Sequence, residues 1–179
     1  MKALFVSDIH GSYFYAKKLK EICVKESPDI IVLLGDLYYH GPRNELSMEY
    51  DPMKVSGILN DLKEKLYVIK GNCDAEVDEM ISDFTFYENL VLNINGNKVF
   101  CTHGHNYNVN NYPKQDFDIM AYGHLHTGFI KEFDNRIFIN PGSISLPKNG
   151  TINSYIVMEN KIELKDIDGN LIESRYFNE

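Results

Sequence analysis

Five of the six histidines in this chain lie in short polar segments that contain glycine and directly follow an apolar run. Carboxylates and an asparagine amide lie in the same segments. The five segments are Asp8-Ile9-His10, Gly35-Asp36, Gly71-Asn72-Cys73-Asp74, His103-Gly104-His105 and Gly123-His124-Leu125-His126. Carboxylate, imidazole and amide oxygen are ligands that suit divalent ions such as Mn²⁺, Fe²⁺ and Zn²⁺. No pair of thiols indicates a structural zinc site.

Each segment taken alone has a structural explanation. Residues 8–10 are compatible with the approach to a helix, because Ser12 can act as its N-cap. Segments 35–36 and 71–74 are compatible with turns, and Asp74 with a cap for the following helix. Either histidine pair alone is a weak indicator of a metal. The order of all five segments, each after a strand-like run, favours a metal site.

The surrounding apolar pattern predicts an α/β first half. Residues 2–7, 29–34 and 66–70 are predicted as short strands, the second of them covered on both faces. Residues 12–25 and 51–66 have apolar side chains at helical spacing. This alternation predicts a parallel sheet. Ligands of open α/β sheets bind beyond the carboxyl ends of the strands, so the five segments can converge on one cavity.

Spacing inside two of the segments predicts which side chains pair. In extended backbone, side chains two residues apart point to the same side. We therefore expect Asp8 to lie with His10, and His124 with His126, each pair gripping one metal or two adjacent ones.

The second half is predicted to be rich in strands. Residues 89–104 contain two extended runs around Asn95-Gly96, a pattern typical of a β-hairpin. Further strand-like runs follow in 118–123, 129–142 and 154–177, and no linker or repeat interrupts them. We predict one domain over residues 1–179 with an α/β fold, in which two packed mixed β-sheets are flanked by helices.

Composition restricts the partners. The net charge of −8 disfavours polymeric nucleic acid and anionic membranes, although bound divalent metals can still attract a small anionic substrate. No apolar run approaches the roughly 20 residues of a membrane helix, and the N-terminus does not resemble a signal peptide. Three cysteines without framework spacing favour a reducing compartment, and we expect a cytoplasmic protein.

As an ordered set, these segments resemble the motifs of the calcineurin-like metallophosphoesterase superfamily: DxH, GD, GNxD, HGH and GHxH across residues 8–126. The stretches LLGDLYYHGPRN, GNCDAEVD and INPGSISLPKNG further resemble the small bacterial phosphodiesterases of the YfcE type. The fold of this superfamily, a two-sheet α/β sandwich, agrees with the strand pattern.

The resemblance implies a centre of two divalent cations. The implied ligands of the first cation are Asp8, His10, Asp36 and His126. The implied ligands of the second cation are Asp36, Asn72, His103 and His124. The resemblance favours Mn²⁺, with Fe, Zn and Ni as alternatives. The implied reaction is hydrolysis of a small phosphodiester by a hydroxide that bridges the two metals.

Cys73 and His105 are the candidate catalytic residues. At the position of Cys73, many superfamily members have a histidine that can protonate the leaving group. A thiol with a pKa of about 8.5 is a poor hydrogen-bond donor, so we predict weak acid catalysis and a preference for good leaving groups, such as aryl esters. The alternative for Cys73 is a small buried filler. His105 could face the substrate phosphate or support a metal ligand.

His40 and Arg43 are candidate substrate-binding residues, since an arginine can bind phosphate through two hydrogen bonds. A solvated loop is the alternative. Four tyrosines in predicted loops could stack on a base or aryl group, although packing is the main expectation. They are Tyr38, Tyr39, Tyr107 and Tyr112.

These observations predict a metal-dependent phosphodiesterase, with three alternatives. A phosphomonoesterase or nucleotide phosphatase is disfavoured by Cys73, because a poor leaving group needs a proton. A non-catalytic scaffold of the same fold is disfavoured because every ligand position is filled by a competent residue. A nuclease conflicts with the acidic charge. The resemblance implies a homo-oligomer, a dimer or a tetramer, and strand edges in the second half could pair in it.

Overall fold

The computed structural model describes residues 1–177, in which two helices and twelve strands are the main elements. The helices are α1 (Tyr13–Glu26) and α2 (Pro52–Asp61). The first strands are β1 (Ala3–Val6), β2 (Ile30–Leu33), β3 (Leu66–Ile69), β4 (Phe86–Tyr87), β5 (Leu90–Ile94) and β6 (Asn97–Cys101). The remaining strands are β7 (Ile119–Ala121), β8 (Gly128–Phe133), β9 (Arg136–Pro141), β10 (Ser154–Met158), β11 (Lys161–Asp166) and β12 (Leu171–Tyr176).

The strands form two mixed sheets, as predicted. The seven-stranded sheet has the order β12-β11-β10-β1-β2-β3-β4, and the five-stranded sheet has the order β5-β6-β7-β9-β8. Strands β1 to β4 are parallel, whereas β10 pairs with β1 in the antiparallel sense. The predicted hairpin joins β5 to β6, where Asn95 and Gly96 have φ of 51° and 90°. Positive φ at both central residues is what a type I′ turn requires.

The first helix begins and ends close to the predicted residues. Ser12 caps α1 by accepting a hydrogen bond from the Tyr15 N–H at 3.3 Å, and Ser27 ends it in the left-handed conformation. The second helix is shorter than predicted. It ends at Asp61, because a 3-10 helix follows and Leu66 already pairs with Ile31 in the sheet. Among residues 1–177, no helix has the length and apolar character of a membrane span.

Both faces of the central strands of the seven-stranded sheet are buried. In β1, Ala3 and Phe5 face the second sheet, whereas Leu4 and Val6 face α1 and α2. The outer face of the five-stranded sheet is covered by an aromatic loop instead of a helix. In this layer, the loop residues Phe117, Tyr107 and Tyr112 pack on Phe100, Met120 and Phe138. The predicted flanking helices therefore lie on one side only.

Candidate metal centre

The structure brings the five polar segments together at the ends of β1, β2, β3, β6 and β7. A cavity of about 310 Å³ opens there. Its lining includes His10, Asp36, Asn72, His124 and His126. His103, from the remaining segment, lies 3.1 Å from Asn72 and 3.4 Å from Asp36. The predicted convergence of strand ends on one cavity is therefore confirmed.

Backbone hydrogen bonds continue beyond the strands and fix these segments. The Asp8 N–H donates to the Gly35 carbonyl at 3.0 Å, and the His10 N–H donates to the Asp36 carbonyl at 2.9 Å. In the second sheet, the Gly123 N–H donates to the His103 carbonyl at 2.8 Å. Gly35 has a φ of +98°, and a Cβ there would lie 2.7 Å from His103 Nδ1. Only glycine fits this approach.

The expected extended backbone at these residues is wrong, although Asp8 and His10 lie together as predicted. Asp8, His10, His124 and His126 have φ of 57°, 49°, 66° and 56°, in the left-handed region. This conformation is uncommon outside glycine, although Asp and His adopt it more readily than most residues, and it is concentrated at functional sites. Because each turn rotates the next side chain, His124 and His126 point to different groups of donors.

The first group, which we name the enclosed cluster, consists of Asp8, His10 and His126. Asp8 Oδ1 lies 3.2 Å from His126 Nε2 and 3.5 Å from His10 Nε2. The two Nε2 atoms are 3.2 Å apart. The relative exposures of Asp8, His10 and His126 are 0%, 1% and 3%, so solvent has almost no access to this cluster.

The second group, the open cluster, consists of Asp36, Asn72, His103 and His124. His103 Nε2 lies 3.4 Å from Asp36 Oδ2, 3.1 Å from Asn72 Oδ1 and 3.2 Å from His124 Nδ1. Asn72 is exposed and His124 is half-buried. These two side chains therefore face the cavity and solvent, whereas Asp36 and His103 are buried.

One carboxylate faces both clusters. Asp36 Oδ2 lies 3.6 Å from His10 Nε2 in the enclosed cluster and 3.4 Å from His103 Nε2 in the open cluster. Its other oxygen, Oδ1, accepts a hydrogen bond from the Cys73 N–H at 2.8 Å. Oδ2 is therefore held between the two groups of donors.

The donor atoms fit bound cations. The Nδ1 atoms of His10, His103 and His126 donate to backbone carbonyls at 2.7, 2.6 and 2.5 Å. These carbonyls belong to Tyr39, Leu34 and Leu146. With the proton on Nδ1, each neutral ring directs the lone pair of Nε2 into the site, as in metal-bound histidines. A cation between the two Nε2 atoms of the enclosed cluster would satisfy both lone pairs. Asp8 Oδ1 is also buried and makes no hydrogen bond among the described residues.

The electrostatics of the site favour positive charge. Burial alone would raise the pKa of Asp8, but contacts with His10 and His126 hold it well below its usual range. Burial alone would lower the pKa of His103, but contact with Asp36 and the field of Asp8 raise it to about 9. The negative charges of two buried carboxylates thus favour protonated imidazoles, and bound metal cations would balance the same negative charges.

Asp74 is a positioning residue that the sequence reasoning interpreted only as a helix cap. Its carboxylate accepts hydrogen bonds from the N–H groups of Asp36, Leu37 and Gly71 at 2.8, 2.8 and 2.7 Å. Burial and the nearby Asp36 charge raise the pKa of Asp74 to about 6. The cap is instead Asp78, which accepts from the Ala75 N–H. The sequence feature that could have indicated this positioning role is the position of Asp74 as the last residue of the GNxD motif.

Two serines that the sequence reasoning missed hold the Asp8 backbone. The hydroxyls of Ser143 and Ser145 donate to the Asp8 carbonyl at 2.7 and 2.8 Å. The same loop supplies the Leu146 carbonyl to His126. Both serines lie in the stretch INPGSISLPKNG, which resembles the YfcE-type phosphodiesterases but has no histidine or carboxylate that would indicate a role in the site.

The candidate catalytic and substrate-binding residues divide between the cavity and its surroundings. Cys73 and Arg43 line the cavity, as does Lys148, which the sequence reasoning missed. His40 does not line it, because its ring packs between Tyr39 and Tyr50 at centroid distances of 4.8 and 5.4 Å.

His105 lies outside the lining as well. It is exposed, and its ring centroid is 5.5 Å from that of His103 and 6.2 Å from that of His124. Of the four candidate tyrosines, Tyr39 lines the cavity, whereas Tyr38, Tyr107 and Tyr112 pack in hydrophobic clusters.

Two donor clusters that share a carboxylate, at the strand ends of a two-sheet α/β sandwich, define a protein of the metallophosphoesterase class. Residues 1–162 match the family described as the calcineurin-like phosphoesterase superfamily domain. The chain therefore belongs to the calcineurin-like phosphoesterase superfamily. Proteins of this superfamily hydrolyse phosphoric esters, and membership implies that the site binds divalent metal ions.

Known relatives span most of the chain. Phosphodiesterase YfcE of Escherichia coli K12 is 36% identical over 166 residues, covering 90% of this chain and 89% of the relative. The probable metallophosphoesterase YsnB of Bacillus subtilis is 27% identical and covers 97% of this chain and 95% of its own.

Solved structures agree with these relatives. The structure of E. coli YfcE, described as a phosphoesterase, has a TM-score of 0.95 at 33% identity and covers 99% of this chain and 100% of its own. Vps29 from Entamoeba histolytica in complex with Zn²⁺ has a TM-score of 0.66 at 21% identity and covers 99% of this chain and 100% of its own. This second likeness shows a shared fold only.

Proposed function

We propose that this protein is a phosphodiesterase that uses two divalent cations to hydrolyse small phosphodiesters. The position of Asp36 is the observation that carries the proposal, because one carboxylate oxygen faces both clusters at 3.4–3.6 Å from their nearest nitrogens. A shared carboxylate can hold two cations about 3.5–4 Å apart, the separation used in two-metal hydrolysis. The relative YfcE, which is named a phosphodiesterase, supports the choice of diesters.

Each cluster would hold one cation. The first cation would be bound by Asp8, His10, Asp36 and His126. The second cation would be bound by Asp36, Asn72, His103 and His124. When bound, two such cations lower the pKa of a water molecule and stabilise negative charge on phosphoryl oxygens. The carboxylate, amide and imidazole donors are compatible with Mn²⁺, our preferred metal, as well as with Fe, Zn or Ni.

The residues of the chain would orient the reaction. Carbonyl bonds to Nδ1 fix three of the imidazoles, and Asp74 holds the backbone that carries Asp36. The cavity of about 310 Å³ lies at the small end of ligand pockets, which supports a small substrate. Precise placement of this kind contributes to catalysis because the reacting atoms meet in a defined geometry.

Arg43 and Lys148 would bind the phosphate. Both line the cavity, and among residues 1–177 neither has a carboxylate within ion-pair distance. Many lysines of this acidic chain are paired, for example Lys20 with Asp61 at 2.9 Å. An unpaired guanidinium at the cavity is free to form charge-assisted hydrogen bonds with a phosphodiester.

Cys73 would determine the leaving group. Burial, followed by the charge of Asp36, raises the pKa of the Cys73 thiol to about 12, so the thiol stays protonated at neutral pH. Its sulfur accepts a hydrogen bond from Asn72 Nδ2 at 3.2 Å. A thiol is a weak donor, so we expect good leaving groups, such as aryl oxides, to react faster than alkoxides.

A metal titration tests the proposal. The protein is stripped with chelator and dialysed against Mn²⁺, Fe²⁺, Zn²⁺ or Ni²⁺, and bound metal and hydrolysis of bis-p-nitrophenyl phosphate are measured. We expect two ions per chain, with turnover that requires both. Faster hydrolysis of p-nitrophenyl phosphate would favour a monoesterase, and rapid cleavage of DNA or RNA would favour a nuclease. Metal binding without turnover of any ester would favour a non-catalytic scaffold.

Other properties remain predictions. A cytoplasmic location is compatible with the three cysteines, Cys23, Cys73 and Cys101, which are all free thiols. One domain over residues 1–179 is compatible with a family match that covers residues 1–162. A dimer or tetramer is testable by analytical ultracentrifugation, in which a monomeric mass would exclude it.

A further inference from the structure

An apolar cleft adjoins the metal cavity. It has a volume of about 300 Å³ and lies against Tyr38, Tyr50 and Val77. It also shares part of its lining with the metal cavity, namely Tyr39, Cys73 and Ala75. A group bound in this cleft would therefore lie next to a phosphate bound in the metal cavity, on the side of Cys73.

The walls of the cleft are aromatic and well supported. The buried side chain of Tyr38 is fixed by a hydrogen bond between its hydroxyl and Ser82 Oγ at 2.7 Å. Tyr39 and Tyr50 are braced by the His40 ring between them, which packs edge-on against both. Tyr39 is nevertheless 43% exposed, so its side chain is accessible to a ligand. Such rings bind flat apolar groups by stacking or edge contacts.

The charges of the cleft exclude a second phosphate. Asp78 is among its lining residues, and its carboxylate caps the Ala75 N–H at 2.8 Å. No lysine or arginine among the described residues lines the cleft. The unpaired cations Arg43 and Lys148 line the metal cavity instead. One cavity is thus suited to an anion, and its neighbour to an uncharged apolar group.

We propose that this cleft binds an uncharged aromatic ester group of the substrate, and that it selects phosphodiesters with at least one such arm. The inference rests on the proposed function, because the phosphate must lie in the metal cavity. A phenyl ring and a nucleobase share the required chemistry. Phosphodiesters with only small alkyl arms, or with a second phosphate on the arm, would leave the cleft empty or unfavourably occupied.

Binding of two matched monoanions tests this proposal without relying on turnover. Diphenyl phosphate and dimethyl phosphate carry the same charge and differ only in their arms. Their affinities for the metal-loaded protein are measured by isothermal titration calorimetry. We expect diphenyl phosphate to bind at least about tenfold more tightly, the effect of one good aromatic stacking contact. Equal affinities would overturn the proposal.

A pair of variants locates the effect in the cleft. Val77→Asp and Met80→Asp add the same charge at two exposed positions of one 3-10 helix, Glu76–Ile81, but only Val77 lines the cleft. We expect Val77→Asp to reduce the preference for diphenyl phosphate to about twofold or less, and to weaken dimethyl phosphate no more than Met80→Asp does. A preference retained in Val77→Asp, or lost equally in both variants, would overturn the proposal.

Two further probes separate the sources of the aromatic group. Methyl phenyl phosphate and the methyl ester of thymidine 5′-phosphate each carry one negative charge and one aromatic arm. Tighter binding of the thymidine ester would assign the cleft to a nucleobase, and tighter binding of the phenyl ester would assign it to an aryl group. Hydrolysis is scored separately. Selective binding of aromatic esters without any turnover would reject the proposed function but support the cleft.

Discussion

The two donor clusters differ in how the fold holds them. The enclosed cluster is almost fully buried, and both of its imidazoles are fixed by Nδ1 bonds to backbone carbonyls. The open cluster contains one imidazole of this kind, His103, together with the half-buried His124 and the exposed Asn72. His124 directs Nδ1 into the site, so this atom makes no carbonyl bond.

This difference indicates different tasks for the two halves of the site. Fixed ligands lose little conformational freedom on binding, so the enclosed cluster is suited to retain a cation. Both clusters border the cavity that contains Cys73 and Arg43, but only the open cluster has ligands with substantial exposure there, Asn72 and His124, so it is suited to contact substrate. We therefore expect the enclosed cluster to bind metal more tightly and the open cluster to exchange it more readily.

Substitution of the shared carboxylate, Asp36, is expected to have the largest effect on metal binding and activity. Asp36→Asn removes the charge that faces both clusters, so we expect fewer than two ions per chain. Activity should fall about 10³-fold, equivalent to about 4 kcal/mol of lost transition-state stabilisation. Equilibrium dialysis with metal analysis and the hydrolysis assay provide the measurements. Asp61→Asn, at an exposed surface ion pair, is the control and should change neither the metal content nor the rate of hydrolysis. Full metal content in Asp36→Asn would contradict the shared role.

Single histidine variants separate the two clusters. His124→Ala should lose the ion of the open cluster and retain one ion that resists dialysis. His126→Ala should damage the enclosed cluster, so that the remaining ion is removed easily. We expect each to lower activity about 100-fold. The decisive measurement is the rate of metal loss to a chelator. Identical loss rates in both variants would show that the clusters do not differ in retention.

Cys73→His sharpens the assignment of the open side to the substrate. An imidazole at this position can donate a proton to the leaving group, which a thiol does poorly. We expect a gain of about tenfold in the hydrolysis of alkyl phosphodiesters and phosphomonoesters, and little change for p-nitrophenyl diesters. Cys73→Ser is the control, because it alters the sulfur without supplying an imidazole. Unchanged alkyl-ester turnover in Cys73→His would count against weak acid catalysis by the thiol.

Lys148→Met should give the smallest effect. Lys148 lies at the cavity but is exposed, so its charge is partly screened. We expect KM to rise about fivefold, equivalent to about 1 kcal/mol, with kcat nearly unchanged. Lys114→Met, at another exposed lysine outside the cavity lining, is the control. An equal rise in KM for both variants would assign the effect to overall charge and exclude a contact with phosphate.

The sequence predicted the donors better than their partners. Asp8, Asp36 and His103 were identified because metal-ligating residue types follow successive strand-like runs. The expectation that His124 and His126 point to the same side was wrong, because it assumed extended backbone where the chain turns left-handed. The two residues instead belong to two adjacent groups of donors, which the prediction had allowed. Asp74 and Ser143 were missed because they act on backbone groups far along the chain.

In the fold, too, local features were predictable from the sequence, whereas features that depend on distant residues were not. The start of α1 was predictable from Ser12 and the spacing of Leu19 and Ile22, since a helix cap and an apolar face are local. The end of α2 was not, because pairing of Leu66 with Ile31 ends the helical stretch earlier. The aromatic loop over the second sheet also escaped prediction, because it lacks any regular period.

The sequence by itself determined the chemistry of the site and the class of fold, because ligand type, strand pattern and segment order are all local properties of the chain. Tertiary structure decided which candidate donors lie in the same cluster, which of them are buried, and that an aromatic cleft adjoins the cavity. These features depend on hydrogen bonds and packing between residues separated by many positions, for example the 116 positions between His10 and His126. Local patterns do not encode such distances, because turn geometry and sheet order set them together.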